Sequence, residues 1–323
     1  MRKCRTYKGK ATACLLLFAL FLFSFYVSTR DSLLLSTRNV ASINSTLQNF
    51  VSWNYAGKGR GAVCFYGINR SLKHTASSIQ MNLLDPISLA GYDLDLFYHT
   101  YNLSVIDNPR SKEVRQKLDP SGFNILGSYV DSDITSQEDF MAMFDLRDWI
   151  MHDKDNWNDD FKSLKNLACQ LNSIDSCCNL IDSSRQRYNF VMFARPDLLY
   201  LNSVNMSQIE AYLSSNERVW VLPEFQDLDT FWNDRFVVAS HDDIQPWCHR
   251  MRYAKDFMRD KNQTVHSEML VKYVGETEGI QKRAIDLKVV RVRADGMINS
   301  DDVWLEQWNM TELIGHRCNG PCI

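Results

Sequence analysis

A basic tail followed by an apolar segment decides which part of this chain folds in water. Residues 1–10 carry five lysines and arginines, and residues 11–27 are predominantly apolar. A run of about 17 residues is just long enough to cross a bilayer, and basic flanks stay on the cytoplasmic side. The pattern predicts a retained anchor with everything beyond it in a lumen. A cleaved signal peptide is the alternative, although residues 24–30 offer no clear small-x-small cleavage site.

The remainder divides into a short stem and one large domain. Residues 28–58 are rich in Ser, Thr and Asn and lack sustained periodicity, which indicates a stem. Residues 59–323 have a size that is normal for one α/β domain. With 45% hydrophobic residues and only 7 prolines in the chain, this part has enough apolar surface to form a compact core.

The charge balance argues against a nucleic-acid partner. The formal net charge is −3, and removing the five tail cations leaves −8 on residues 11–323. Such a surface would repel a phosphate backbone.

Sequons and cysteines agree with a luminal domain. Six Asn-x-Ser/Thr sequons are potential glycan acceptors in a secretory lumen: Asn44, Asn69, Asn102, Asn205, Asn262 and Asn309. Seven cysteines follow the apolar segment, and an oxidising compartment would pair several of them. We expect Cys177 and Cys178 to bridge outward rather than to each other, and Cys318 and Cys322 to be structural.

Apolar runs alternate with helix-like segments after residue 60. Such an alternation predicts an α/β fold with a mostly parallel sheet, helices on both faces, and ligands beyond the carboxyl ends of the strands. Expected strands are residues 62–66, 93–100, 123–129, 188–194 within the segment 188–201, 218–222, 236–240 and 285–292, and expected helices include 71–84, 111–118 and 136–151.

The first polar cluster directly follows the first expected strand. Gly67 would let a ligand approach the backbone, and Arg70 would bind a phosphate at the expected helix start. An ordinary turn with a surface arginine is the plainer explanation. Neither a Walker motif nor a full Gly-x-Gly-x-x-Gly occurs.

The second cluster ends the most apolar strand. Asp197 is placed to hold a divalent ion on a diphosphate, and Arg195 could supply positive charge beside or instead of that ion. A buried structural pair of the two residues is the alternative.

Two further clusters carry candidate catalytic groups. Asn233, Asp234 and Arg235 follow two aromatic residues, a combination typical of sugar-binding surfaces and also of turns. Glu268, in His266-Ser267-Glu268, precedes an apolar helix and would deprotonate an acceptor hydroxyl or simply cap the helix.

Taken in order, five motifs resemble a poorly characterised group of glycosyltransferase-like type II membrane proteins. They are residues 63–70, 95–100, 195–197, 233–236 and 266–268. The resemblance implies a GT-A-type, Rossmann-like domain in the Golgi or endoplasmic reticulum membrane. It also implies a nucleotide-sugar donor and a glycan, glycoprotein or glycolipid acceptor.

The resemblance further implies roles for individual residues. It places Gly67 and Arg70 beside the donor nucleotide and Asp197 at the second acid of the family's Asp-x-Asp motif. Asn233, Asp234 and Arg235 would face the donor sugar or the acceptor, and Glu268 would be the catalytic base. Position 195 is Arg where the motif has Asp, which puts a requirement for Mn²⁺ or Mg²⁺ in doubt.

Two other functions compete with this interpretation. A Golgi sulfotransferase shares the topology, but its sulfate-donor loop usually carries a Lys that residues 67–71 lack. A luminal lectin-like protein that kept the fold and lost turnover is the other, because one acid of the metal pair is missing.

Overall fold

The structure is a computed structural model that describes residues 57–118, 122–224 and 230–302. The predicted anchor, almost all of the predicted stem, and Cys318 and Cys322 lie outside these ranges. Within them, no helix is both long enough and apolar enough to cross a membrane.

A mostly parallel seven-stranded sheet organises the described chain, in the order β10-β8-β9-β6-β1-β2-β5. Only β9 runs antiparallel to its neighbours β6 and β8. Two short antiparallel pairs, β3–β4 and β7–β11, stand apart. The strands are β1 Gly59–Tyr66, β2 Tyr92–Tyr101, β3 Val105–Asn108, β4 Glu113–Lys117, β5 Asp131–Thr135, β6 Phe190–Ala194, β7 Leu198–Tyr200, β8 Val219–Pro223, β9 Phe236–Ala239, β10 Gln281–Ile285 and β11 Val289–Arg291.

Helices cover both faces of this sheet. A five-residue π-helical turn, Gln80–Leu84, joins α1 to α2. The helices are α1 Leu72–Ile79, α2 Asp85–Leu89, α3 Gln137–Met143, α4 Lys162–Ser183, α5 Met206–Leu213, α6 Gln245–Cys248, α7 Ala254–Lys261 and α8 Ser267–Thr277. The structure thus confirms an α/β fold with a mostly parallel sheet.

Strand β1 shows why the central strands are apolar at every position. Its successive side chains alternate between two cores, since Cys64 and Tyr66 pack with α4 while Val63 and Phe65 pack with α1. Strands that are buried on both faces read as continuous apolar runs rather than as alternating ones.

Two disulfides fasten helix α4 to its surroundings. Cys177 is bonded to Cys64 on β1, and Cys178 is bonded to Cys248 on α6. Neighbouring residues of a helix point about 100° apart, so adjacent cysteines reach different elements. The expected outward bridging is confirmed, and both bonds fit an oxidising compartment.

Three expectations about local structure were wrong in the segment between β2 and α4. Residues 111–118 contain strand β4 instead of a helix, because residues 113–117 pair with β3 across a hairpin in which Lys112 has a φ of 59°. Residues 123–129 contain a 3₁₀ turn, and the edge strand β5 begins at Asp131. Its polar sequence is typical of an edge strand, so β5 lacks the apolar run by which the buried strands were predicted.

The expected helix over residues 136–151 is also shorter. Ser136 does cap it, because its side chain accepts the Asp139 N–H at 3.1 Å, but α3 ends at Met143. Likewise, the expected strand over residues 285–292 is divided between β10, which ends at Ile285, and β11.

Candidate functional site

A cleft of about 380 Å³ opens beyond the carboxyl ends of β1 and β6. The chain leaves β1 toward β2 on one side and later returns to β6 on the other, so this edge is a switch point of the sheet. Ligands of α/β proteins bind at such points. Because β9 is antiparallel, the residues that precede it reach the same edge. Seven of the eight residues predicted for the site line the cleft: Gly67, Arg70, Arg195, Asp197, Asp234, Arg235 and Glu268.

The loop after β1 is fixed by buried hydrogen bonds. Gly67 has a φ of 97°, a conformation that other residues rarely adopt, and its N–H donates to Ser173 Oγ on α4 at 2.8 Å. Ser173 Oγ also lies 2.7 Å from His99 Nδ1. The N–H of Asn69 donates to Thr100 Oγ1 at 3.2 Å. The amides of Gly67 and Asn69 are therefore engaged within the protein, and the ligand-facing group of this loop is the Arg70 side chain.

Asp197 is buried among guanidinium groups. Arg195 binds it with two hydrogen bonds, from Nε to Oδ1 at 2.8 Å and from Nη2 to Oδ2 at 2.5 Å. Arg70 Nε lies 3.4 Å from Oδ2. Burial alone would raise the pKa of the Asp197 carboxyl, but Arg195 and Arg70 hold it well below its usual range. Asp197 is therefore ionised at neutral pH and neutralises part of this cationic cluster.

A second charged group surrounds Arg235. Its Nη2 donates to Glu268 Oε1 at 3.0 Å, and its Nη1 lies 3.2 Å from Asp234 Oδ1. Asp234 Oδ2 accepts hydrogen bonds from Gln170 and from the Ser267 hydroxyl. Burial raises the pKa of Asp234, but Arg235 and Ser267 outweigh burial and lower it. Glu268 is the most accessible of these acids, with 17% of its side chain exposed against 5% for Asp234.

Asn233 is the predicted site residue that does not line the cleft. It is fully buried, and its Oδ1 accepts the N–H of Arg235 at 2.8 Å. This turn-type hydrogen bond orients the Arg235 backbone, so the turn interpretation describes the side chain better than direct contact with a sugar.

Several cleft residues were not predicted from the sequence. Gln170 on α4 and Trp157 before it belong to a segment for which we predicted no element, and Trp157 stacks on His266 with ring centroids 5.4 Å apart. Glu113 is a buried acid on β4 whose contacts include Arg70 Nη1 at 2.8 Å. No local signal marks Glu113, since the strand that carries it reads as a charged helix.

The residues around Asp197 do not fit a divalent cation. Both carboxylate oxygens of Asp197 are occupied by Arg195, and the surroundings are cationic. In residues 57–118, 122–224 and 230–302, no three His, Cys, Asp or Glu side chains are grouped as metal ligands. A hard cation such as Mg²⁺ or Mn²⁺ needs several oxygen ligands that are free of such partners.

No family model and no curated protein sequence matches this chain. Among solved structures, the apo form of mouse xyloside xylosyltransferase 1 is similar, with a TM-score of 0.42 and 8% sequence identity. The similarity covers 81% of this chain and 95% of that chain. At this TM-score and sequence identity, the similarity assigns no role to any residue of the cleft.

Proposed function

We propose that this protein is a glycosyltransferase that moves a sugar from a nucleotide-sugar donor to a glycan, glycoprotein or glycolipid acceptor. The supporting observation is that four of the five motifs of the resemblance, all except residues 95–100, contribute residues to one cleft at the switch point of the sheet although they are separated in sequence. The two disulfides agree with a domain in the lumen of the Golgi or endoplasmic reticulum. Residues 11–27 would provide a type II membrane anchor and residues 28–58 a stem.

The geometry suggests a division of roles within the cleft. In this proposal, Arg70 and Arg195, which meet at Asp197 in the cleft, would supply positive charge for a diphosphate leaving group. Of the two candidate bases, Glu268 is more exposed to an acceptor than Asp234, and Arg235 orients it. In the proposed step, the acceptor oxygen attacks the anomeric carbon and gives its proton to Glu268. The bond from that carbon to the diphosphate breaks, and the nucleoside diphosphate leaves with the electron pair.

This proposal is tested by donor turnover with the full-length protein. UDP- and GDP-sugars would be screened for hydrolysis and transfer, with Glu268→Gln and Asp234→Asn as variants. We expect Glu268→Gln to lower turnover by about 10²- to 10⁴-fold while donor binding persists, because it removes a proton acceptor and keeps the shape. The proposal fails if no donor is bound or turned over by the wild-type protein.

One observation favours a second candidate, a luminal protein that binds nucleotide sugars without transferring them. Arg235 pairs with both candidate bases, and the pKa of Asp234 is lowered, which makes that carboxylate a weak proton acceptor. Donor binding without turnover would identify this case. The sulfotransferase alternative gains no support, since the cleft lining in the described part of the chain contains arginines and no lysine. Binding of a sulfate donor to the protein would support the sulfotransferase alternative.

A further inference from the structure

Two cleft arginines from distant parts of the chain meet at one buried carboxylate. Glu113 Oε2 lies 2.8 Å from Arg70 Nη1 and 3.9 Å from Arg293 Nη1. Glu113 Oε1 accepts the N–H of Ala294 at 3.0 Å, and only 1% of its side chain is exposed. Glu113 therefore holds Arg70, from the loop after β1, against Arg293, from the segment after β11.

Positive charge is in excess around the carboxylates of Glu113 and Asp197. Three guanidinium groups, those of Arg70, Arg195 and Arg293, share two carboxylates, those of Glu113 and Asp197. Arg293 Nε is buried and lacks a hydrogen-bond partner among the described residues, and Arg70 Nε has only the 3.4 Å ion-pair contact with Asp197 Oδ2. Incompletely paired buried guanidinium groups are costly, and an anion in the cleft would offset their excess charge.

The surroundings of Arg293 also favour a bound anion. Arg291, two residues earlier, is paired with the buried Asp302, so the Asp302 carboxylate is not available to neutralise Arg293. Burial lowers the pKa of Arg293 to about 10, and repulsion from Arg70 and Arg291 contributes. Only 8% of the Arg293 side chain is exposed, although it lines the cleft. A buried cation repelled by its neighbours gains from a bound anion.

We propose that Arg70 and Arg293, positioned by Glu113, bind the diphosphate of the donor directly and that no divalent cation takes part. This inference rests on the function proposed above. Two guanidinium groups that approach the same carboxylate oxygen lie close enough together to bind adjacent phosphates. Because Asp197 is already occupied by Arg195, positive charge for the leaving group comes from side chains rather than from an ion held by an acid pair.

The test is calorimetric titration of the full-length protein with pyrophosphate, UDP and GDP, first in EDTA and then with excess Mn²⁺. We expect binding in EDTA. Arg70→Gln and Arg293→Gln should each weaken it by about 10- to 100-fold, the usual effect of losing a hydrogen bond to a charged group. Arg293→Lys should lose less, because it keeps the charge. Arg187→Gln, which removes an exposed pair with Asp242, is the matched control and should leave affinity unchanged.

Glu113 is a positioning residue, and a double-mutant cycle tests it. Glu113→Gln should weaken pyrophosphate binding in the wild type and have a smaller effect when Arg70 and Arg293 are both Gln, because it acts through them. An equal loss in both backgrounds would overturn this role. Thermal unfolding of every variant verifies that it is folded.

The possible failures are distinguishable. Binding that appears only with Mn²⁺ refutes this inference and leaves the proposed function standing. Pyrophosphate binding that neither arginine substitution weakens places the anion elsewhere and also refutes it. If none of the three probes binds under either condition, the inference and the proposed function fail together.

Discussion

The two halves of the cleft are built differently. The strand-end half contains Arg70, Arg195, Asp197 and Asp234, which are largely buried and joined by ion pairs. The hairpin half comprises residues 106–108, 110 and 111 with Trp157, Ser163 and Asn166, and all of these except Ile106 are partly or fully exposed. An example is Arg110, whose Nη1 donates to Ser163 Oγ at 2.8 Å near the surface. Ion pairs fix the charged side chains of the strand-end half. Residues of the hairpin half can be substituted without disturbing the core.

Adjacent residues on β4 show where the two halves join. Glu113 is 1% exposed and reaches the arginines of the strand-end half, while Val114 beside it is 60% exposed. The hairpin therefore contacts the strand-end half through a buried acid. Under the proposed function, the strand-end half would bind the constant diphosphate and the hairpin half an acceptor of varied chemistry.

The largest expected effect is on stability when the buried charge pair is broken. Asp197→Asn keeps the shape but leaves Arg195 without its carboxylate and Arg70 with Glu113 alone. We expect the free energy of unfolding to fall by about 3–5 kcal/mol, as for other buried pairs that lose one partner. Urea unfolding would measure this change. Asp242→Asn, which breaks the exposed pair with Arg187, should cost less than about 1 kcal/mol, and an equal cost for both would contradict the comparison.

The next effect is a loss of stability in mild acid caused by His99, which supports the strand-end half. Burial lowers the pKa of His99 to about 4, from the ordinary value of 6.5. Between these values the unfolded chain binds more protons, so stability is complete above 6.5 and is lost as the pH falls toward 4. The total contribution is about 3 kcal/mol.

Urea unfolding at about pH 7 and about pH 5 measures this contribution, and about 2 kcal/mol should be lost between the two. His99→Gln should be less stable at neutral pH and should show a flatter pH dependence. If the free energy of unfolding depends on pH equally in the wild type and in His99→Gln, His99 is not the titrating group.

The difference between the halves also explains what the sequence could reveal. Gly67 and the Arg195-Pro196-Asp197 turn follow strands that are apolar at every position, so their place at the sheet edge was predictable from local pattern. Glu113 was not, because the Ala294 N–H that it accepts is 181 residues away and its strand depends on pairing with β3. Long-range contacts leave no periodic trace in a single sequence.

Helix α4 was missed for a related reason. Its 22 residues include many Ser, Asn, Asp and Cys, which are weak helix formers, and its stability comes from packing on the sheet and from two disulfides. Gln170 and Ser173, which it carries to the cleft and to the Gly67 loop, could not be placed without it.

A smaller effect should follow from Ser173→Ala. This change removes the acceptor for the Gly67 N–H and the partner of His99 Nδ1, so we expect a loss of about 1–3 kcal/mol in the free energy of unfolding. Since the loop after β1 also carries Arg70, pyrophosphate affinity should fall as well. Urea unfolding and calorimetry measure the two effects. Ser163→Ala, on the hairpin half of the same cleft, is the control: it loses a hydrogen bond to Asp159 and one from Arg110 near the surface and should cost less than about 1 kcal/mol.

The smallest effect is expected for Arg110→Gln in the hairpin half. Arg110 is exposed, donates to Ser163 and lies 6.0 Å from the centroid of the Trp157 ring, so its removal should lower the free energy of unfolding by less than about 1 kcal/mol. Pyrophosphate affinity should stay within about threefold of the wild type, because one exposed charge contributes less than about 1 kcal/mol. Unfolding and calorimetry on the same preparation give both values. A loss as large as that of Arg293→Gln would mean that phosphates also contact the hairpin, and the two halves would then form a single anion site.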